Sequence, residues 1–265
     1  MIHPVIENLN VRRNKKVPIE DGRKIALLIF GCVMSGMRGS GALIGLQQLG
    51  LTYAFDEIYS MSAGFPNACY FLADDQTKGP SIYFEELAGR QFIKSSHVWN
   101  MMDIDYLMDV FQNKKPLEVK KILQAKTKLY VIVNNLETGK IEYLEAHKVG
   151  EKKFFDLMKA AISAPFLHPG STKLGKGKYK DPLMLTKADY QQQLDKLLKS
   201  KATDILVIYN NHGQHGFPAI FSDRIYEIMP PAGEPNALLE TRPDVLKRER
   251  DEMIALVKQI FTDAK

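Results

Sequence analysis

Residues 24–31 (KIALLIFG) form a short continuous apolar run with charge before it and glycine at its end. Such a run fills a strand buried on both faces of a largely parallel sheet. Residues 34–41 (MSGMRGSG) are too rich in glycine for strand or helix and predict a tight turn. Beyond them Leu43, Leu46 and Leu49 recur at helical spacing over 42–49, and Gly50 is a natural stop. A second unit follows at once: 55–61 predicts a strand, and Ser62 starts a segment, 63–73, that reads as a helix. Pro66 is tolerated there because first-turn amides have no intrahelical acceptor. Two strand–turn–helix units in succession predict a parallel sheet with right-handed crossovers.

Residues 79–125 predict mostly helix, with Ile104, Leu107, Met108 and Phe111 at periodic positions and Pro116 opening a further helix. Residues 129–133 and 141–144 predict a hairpin that turns through Thr138 and Gly139. A helix over 152–162 stops near Pro165, 205–209 (ILVIY) reads as another buried strand, and 243–261 as a long amphipathic helix. Strands and helices alternate, so the fold class is α/β. With 265 residues, no linker-like stretch and no internal repeat, one domain over 1–265 is expected.

Charge narrows the partners. The formal net charge is +5, and most basic residues are interleaved with acids, as over 247–258, which is the pattern of a solvated helix face; no nucleic-acid partner is expected. The exception is Lys173, Lys176, Lys178 and Lys180, which read as a disordered surface loop, or else as a patch that draws an anionic headgroup or membrane surface. The longest apolar run, 25–34, is about half the roughly 20 residues of a membrane-spanning helix. Residues 1–24 are polar, carry Arg12, Arg13, Lys15 and Lys16, and lack the apolar core of a secretory signal. Cys32 and Cys69 sit in apolar segments and read as small buried hydrophobes in a reducing compartment. The expected location is cytoplasmic, with contact to a membrane only at its periphery. His212 and His215 lie in a glycine-containing loop without partners at ligand spacing, so neither a metal nor a cofactor is expected.

The candidate chemistry centres on residues 59–64, YSMSAG, where Ser60, Ala63 and Gly64 flank Ser62 between a strand and a helix. In serine hydrolases such a turn forces the nucleophile into a sharp conformation, and small neighbours let the strand and helix backbones approach. The helix beginning at Ala63 would offer free amides and a positive dipole end to a developing oxyanion. The segment alone reads equally as a serine N-cap.

The order of parts is more specific. MSGMRG at 34–39, a helix to Leu49-Gly50-Leu51, Phe55-Asp56-Glu57-Ile58 and the Ser62 turn together resemble the patatin-like phospholipase family. In that family a GGGxRG loop supplies oxyanion amides, and GxSxG follows the next strand. The resemblance continues through Asn67 and Ala68, residues 160–169 (AAISAPFLHP), and Tyr179-Lys180-Asp181-Pro182-Leu183. It covers roughly residues 24–210 and is strongest to bacterial patatin-like proteins with a Gly-Met-Arg-Gly loop. It implies a three-layer α/β/α sandwich around a largely parallel sheet, and no cofactor. Carried over by position, Ser62 is the nucleophile and Gly36, Met37, Arg38 and Gly39 form the oxyanion loop. The family uses a Ser–Asp dyad whose aspartate lies in a downstream Asp-Gly. No Asp-Gly follows Ser62 here, and Asp181, before Pro182, is the nearest candidate, with Asp189 behind it. Met34 and Ser35 replace two loop glycines and Ser60 the first glycine of GxSxG. Arg38 reads as orienting phosphate or, more commonly for such an arginine, as bracing the turn through a buried ion pair. The implied function is hydrolysis of acyl esters of lipids; the alternative is a degenerate, non-catalytic member that binds lipid or a protein partner.

Overall fold

A computed structural model of the chain describes residues 2–16, 19–75, 77–94, 100–183, 185–212, 223–231 and 238–262. The apolar runs become the strands β1 (Ile25–Ile29), β2 (Glu57–Met61), β3 (Lys128–Asn135) and β7 (Asp204–Ile208), of which β1, β2 and β7 are buried at every position. The remaining strands are β4 (Lys140–Glu145), β5 (Thr172–Leu174), β6 (Gly177–Lys180) and β8 (Ile225–Ile228). All eight join one sheet, in the order β5-β6-β3-β2-β1-β7-β8, with β4 paired to β3. The five strands β3, β2, β1, β7 and β8 run parallel, whereas β4, β5 and β6 are antiparallel additions at one edge.

The described helices are α1 (Pro4–Val11), α2 (Gly36–Gln48), α3 (Gly64–Leu72), α4 (Lys78–Ser81), α5 (Ile104–Asp109), α6 (Val119–Gln124), α7 (Ala146–Val149), α8 (Phe154–Ile162), α9 (Lys187–Lys199) and α10 (Pro243–Thr262). Alternate strand residues face opposite layers. Ile25, Leu27 and Ile29 pack with residues of α1, α2, α3, α8 and α10, while Ala26 and Leu28 pack with Tyr190, Leu194 and Leu197 of α9. The result is a three-layer α/β/α sandwich. Because the chain leaves β1 toward β2 on one side and β7 continues on the other, the carboxyl end of β1 is the topological switch point where open α/β sheets bind ligands.

Several expectations are corrected. Residues 36–41 are not a turn: α2 begins at Gly36, after a 3₁₀ turn over Val33–Ser35. Its glycines serve packing rather than turning, since a β-carbon at Gly41 would stand 2.5 Å from the Arg250 carbonyl oxygen and one at Gly45 2.9 Å from Cβ of Val257. That close approach to α10 outweighs the roughly 1 kcal/mol that each glycine costs a helix. The lysine-rich stretch is not a loop but the antiparallel hairpin β5–β6. Cys69 is buried as expected, but Cys32 is partly exposed; both are free thiols. Within 79–125, helix is interrupted by a bridge between Ile93 and Met102, and the helix expected at Pro116 starts at Val119. Among the described residues no helix is long and apolar enough to cross a membrane.

Candidate active site

Ser62 follows the last residue of β2 with φ at +53°, a left-handed conformation costing a side-chain-bearing residue roughly 1–2 kcal/mol. The surrounding backbone enforces it. A β-carbon at Gly31 would stand 2.3 Å from Cβ of Ser62 and 2.6 Å from the Ala63 nitrogen, and one at Gly64 2.7 Å from the Ile29 carbonyl oxygen. The end of β1 therefore lies directly against the elbow, and the Phe65 amide closes it by donating to the Ser62 carbonyl at 2.9 Å. Ser60 fits where the family motif has glycine because its hydroxyl donates to the Tyr130 carbonyl of β3 at 2.9 Å. Only 8% of Ser62 is exposed.

Gly36, Met37, Arg38 and Gly39 form the first turn of α2, beside the elbow: a β-carbon at Gly36 would meet Cβ of Ala63 at 2.7 Å. Two of their amides are engaged. Gly36 donates to the carbonyls of Val33 and Met34, and Gly39 donates to Oδ1 of Asn210 at 2.7 Å. Among the described residues the amides of Val33 and Ala63 meet no acceptor. Val33 has φ at +45°, an outlier for a β-branched residue and a second point of strain next to Ser62. The Arg38 guanidinium donates to the Asn210 carbonyl at 3.1 Å and pairs with Glu249 of α10 at 2.9 Å, both side chains nearly buried, so here it is a brace.

Asp181 directly follows β6 and is fully buried. Its amide donates to the Ser163 carbonyl at 3.3 Å, and its Oδ1 accepts the Leu183 amide at 2.7 Å. Pro182 has no amide to give, and the residue after it supplies one instead, at the cost of φ +39° at Leu183. Burial pushes the Asp181 carboxyl up to about 6, with the Ser62 hydroxyl and the Leu183 amide opposing. The serine is thus close enough to act on the carboxylate, although Oδ2 meets no donor at full hydrogen-bond geometry. A loose pairing of this kind is common before substrate binds. Asp189 is elsewhere, closing a capping box with Thr186 at the start of α9.

Next to Ser62 lies a small cavity of about 40 Å³, lined by Val33, Ala63, Ile82, Leu87, Phe92, Leu107, Phe111 and Ile162 among others. Its polar lining is largely committed: Asn67 donates to the Gly36 carbonyl at 2.8 Å and accepts from the Tyr83 hydroxyl at 3.2 Å.

The fold is similar to that of VipD from Legionella pneumophila. The likeness to that crystal structure has a TM-score of 0.53, covers 93% of this chain and 69% of that one, and carries 11% identity. The sequence matches no family model and no curated protein.

The structure thus brings Ser62, Asp181 and the start of α2 to one end of the sheet and leaves Asp189 out. His212 makes no cluster of three or more ligating groups among the described residues, and His215 lies outside them. Two buried asparagines organise the site: Asn67, and Asn210, which donates to the Phe30 carbonyl as well as holding Gly39 and Arg38. Asn67 belongs to the family resemblance, but nothing in sequence marked Asn210 except its position just after the apolar strand β7.

Proposed function

We propose that the chain is a patatin-like serine hydrolase of lipid acyl esters working through a Ser62–Asp181 dyad. The observation that carries this reading is the strained Ser62 elbow beside a buried carboxyl whose pKa lies near 6, at the mouth of an apolar cavity. Oγ of Ser62 attacks the ester carbonyl and its proton passes to the Asp181 carboxylate. Negative charge grows on the carbonyl oxygen, and the unengaged amides of Val33 and Ala63, with the amino end of α2, are the donors near it. Collapse breaks the ester C–O bond and the leaving alcohol takes the proton from Asp181. Water then repeats the sequence on the acyl-enzyme and releases the acid. The acyl chain enters from the side of this small cavity, because the walls there are apolar and the asparagine and tyrosine are already paired.

One observation favours the non-catalytic alternative: the Gly39 amide, a donor in the family's loop, is held by Asn210. Hydrolysis of a short-chain nitrophenyl ester separates the two. The hydrolase reading expects turnover that falls by at least about 1000-fold in Ser62→Ala and to a similar level in Asp181→Asn, since the pair acts as a unit. Absence of turnover in the wild type with a range of acyl esters would leave the binding reading.

A further inference from the structure

Four large apolar side chains are exposed among the described residues: Val11, Leu136, Phe166 and Leu238. Three of them ring the end of the sheet that holds Ser62. Leu136 follows the last residue of β3, and the Leu238 carbonyl accepts the Met34 amide just beyond β1. Phe166 belongs to the loop whose Ser163 and Leu167 carbonyls accept the amides of Asp181 and of the cavity-lining Met102. Val11 is at the opposite end, next to Arg12, which bonds to Asp56 before β2 and to the Arg23 carbonyl before β1. Phe166 is 70% exposed and has φ at +67°. An aromatic residue held in a left-handed conformation, with most of its side chain exposed, carries two costs.

The hairpin beside this loop adds charge. Asn135 pairs with Tyr179, and the Leu136 amide donates to the Lys178 carbonyl at 2.8 Å, so 174–178 reach beyond the carboxyl end of β3. Lys173 and Lys178 stand directly opposite each other and are exposed, as is Lys176 in the turn, while Leu174 and Tyr179 on the other face are buried. Among the described residues none of these three lysines has an acidic partner. Like charges facing each other across a hairpin destabilise it. Nearby Lys94 and Lys159 are neutralised by Asp103 and Asp105, and the exposed Glu137 is the one acid in the turn that adjoins the hairpin. Lys180 ties hairpin to loop by donating to the His168 carbonyl at 3.3 Å.

We infer that this end of the sheet docks on an anionic lipid bilayer, with Phe166 and Leu136 in the interfacial layer and Lys173, Lys176 and Lys178 on the headgroups. Charge complementarity selects the partner: unpaired lysines beside exposed apolar side chains match a surface that is negative outside and apolar beneath. The docking deepens the hydrolase reading and rests on it only for its meaning, since it would bring the cavity mouth to its substrate's source.

Co-sedimentation of the full chain with phosphatidylcholine vesicles, with and without phosphatidylglycerol, tests it. Binding is expected on the anionic vesicles alone and should weaken with salt. The triple variant Lys173→Gln, Lys176→Gln, Lys178→Gln should bind on the order of 100-fold more weakly, and Phe166→Ala several-fold more weakly. Relief of lysine repulsion should leave the triple variant at least as resistant to heat as the wild type, which guards against a folding artefact. Equal binding to neutral vesicles, or undiminished binding by the folded triple variant, would overturn the docking. Turnover of a soluble short-chain ester should be unchanged in both variants. If no ester is turned over while vesicle binding still follows charge and Phe166, the docking stands and the hydrolase reading falls.

Discussion

Ser62 stands between a central strand and a helix that are both buried throughout, whereas Asp181 hangs from an edge hairpin of three and four residues. The serine is fixed by backbone against backbone, with Gly31 and Gly64 leaving room for nothing else. The aspartate is fixed by two main-chain hydrogen bonds and by removal from water. One side of the site is held by packing, which fails abruptly, and the other by polar contacts, which respond to pH.

The sharpest test of the packed side is Gly31→Ala. Its methyl group has no space beside Ser62, so a loss of about 3 kcal/mol or more is expected in chemical denaturation, with loss of ester turnover. Wild-type stability in that variant would break the comparison at its first term.

On the polar side, Asp181→Asn should do the opposite to stability while removing activity. The folded carboxyl has its pKa raised from 3.8 to about 6, so the folded state binds a proton more tightly than the unfolded one. Below both values the burial carries no electrostatic penalty. As pH rises from about 4 through 6 the folded state loses up to about 3 kcal/mol. Asparagine avoids that loss, so the variant should melt higher than the wild type at pH 8 and near it at pH 4. Wild-type turnover should correspondingly rise through pH 6 as the carboxylate becomes available. A melting difference that ignores pH would mean the carboxyl is not held as described.

The smallest expected effect concerns the segment that follows. Thr186 caps α9 through the Asp189 amide, and Thr186→Ala should cost about 1 kcal/mol with turnover unchanged. A large drop in turnover would show that the Asp181 segment takes its position from α9 rather than from the hairpin.

This contrast also explains what sequence revealed. The strands β1, β2 and β7 are continuous apolar runs because both faces are buried, and such runs are legible without knowing their neighbours. The four lysines and two glycines of the β5–β6 hairpin hide an alternation whose buried side is Thr172, Leu174, Gly177 and Tyr179. α9 is not legible because its apolar stripe is little more than Tyr190, Leu194 and Leu197 in a polar setting; the helix over 42–49 is, but the first turns of α2 are not, because their glycines answer to a helix two hundred residues away. Ser62 was readable from its small neighbours. The Leu183 amide that serves Asp181 was not, since it depends on a left-handed leucine that no propensity favours.

The fit of α10 into the glycine face of α2 has a consequence for synthesis. At 5–20 residues per second, α10 leaves the ribosome on the order of ten seconds or more after α2. During that interval Gly41 and Gly45 have nothing to pack on and Arg38 lacks Glu249. The nascent chain therefore carries Ser62 on an unfinished scaffold, and the site is completed only as α10 arrives. Ribosome-bound chains stalled before α10 are expected to be open to protease at α2, and released chains closed.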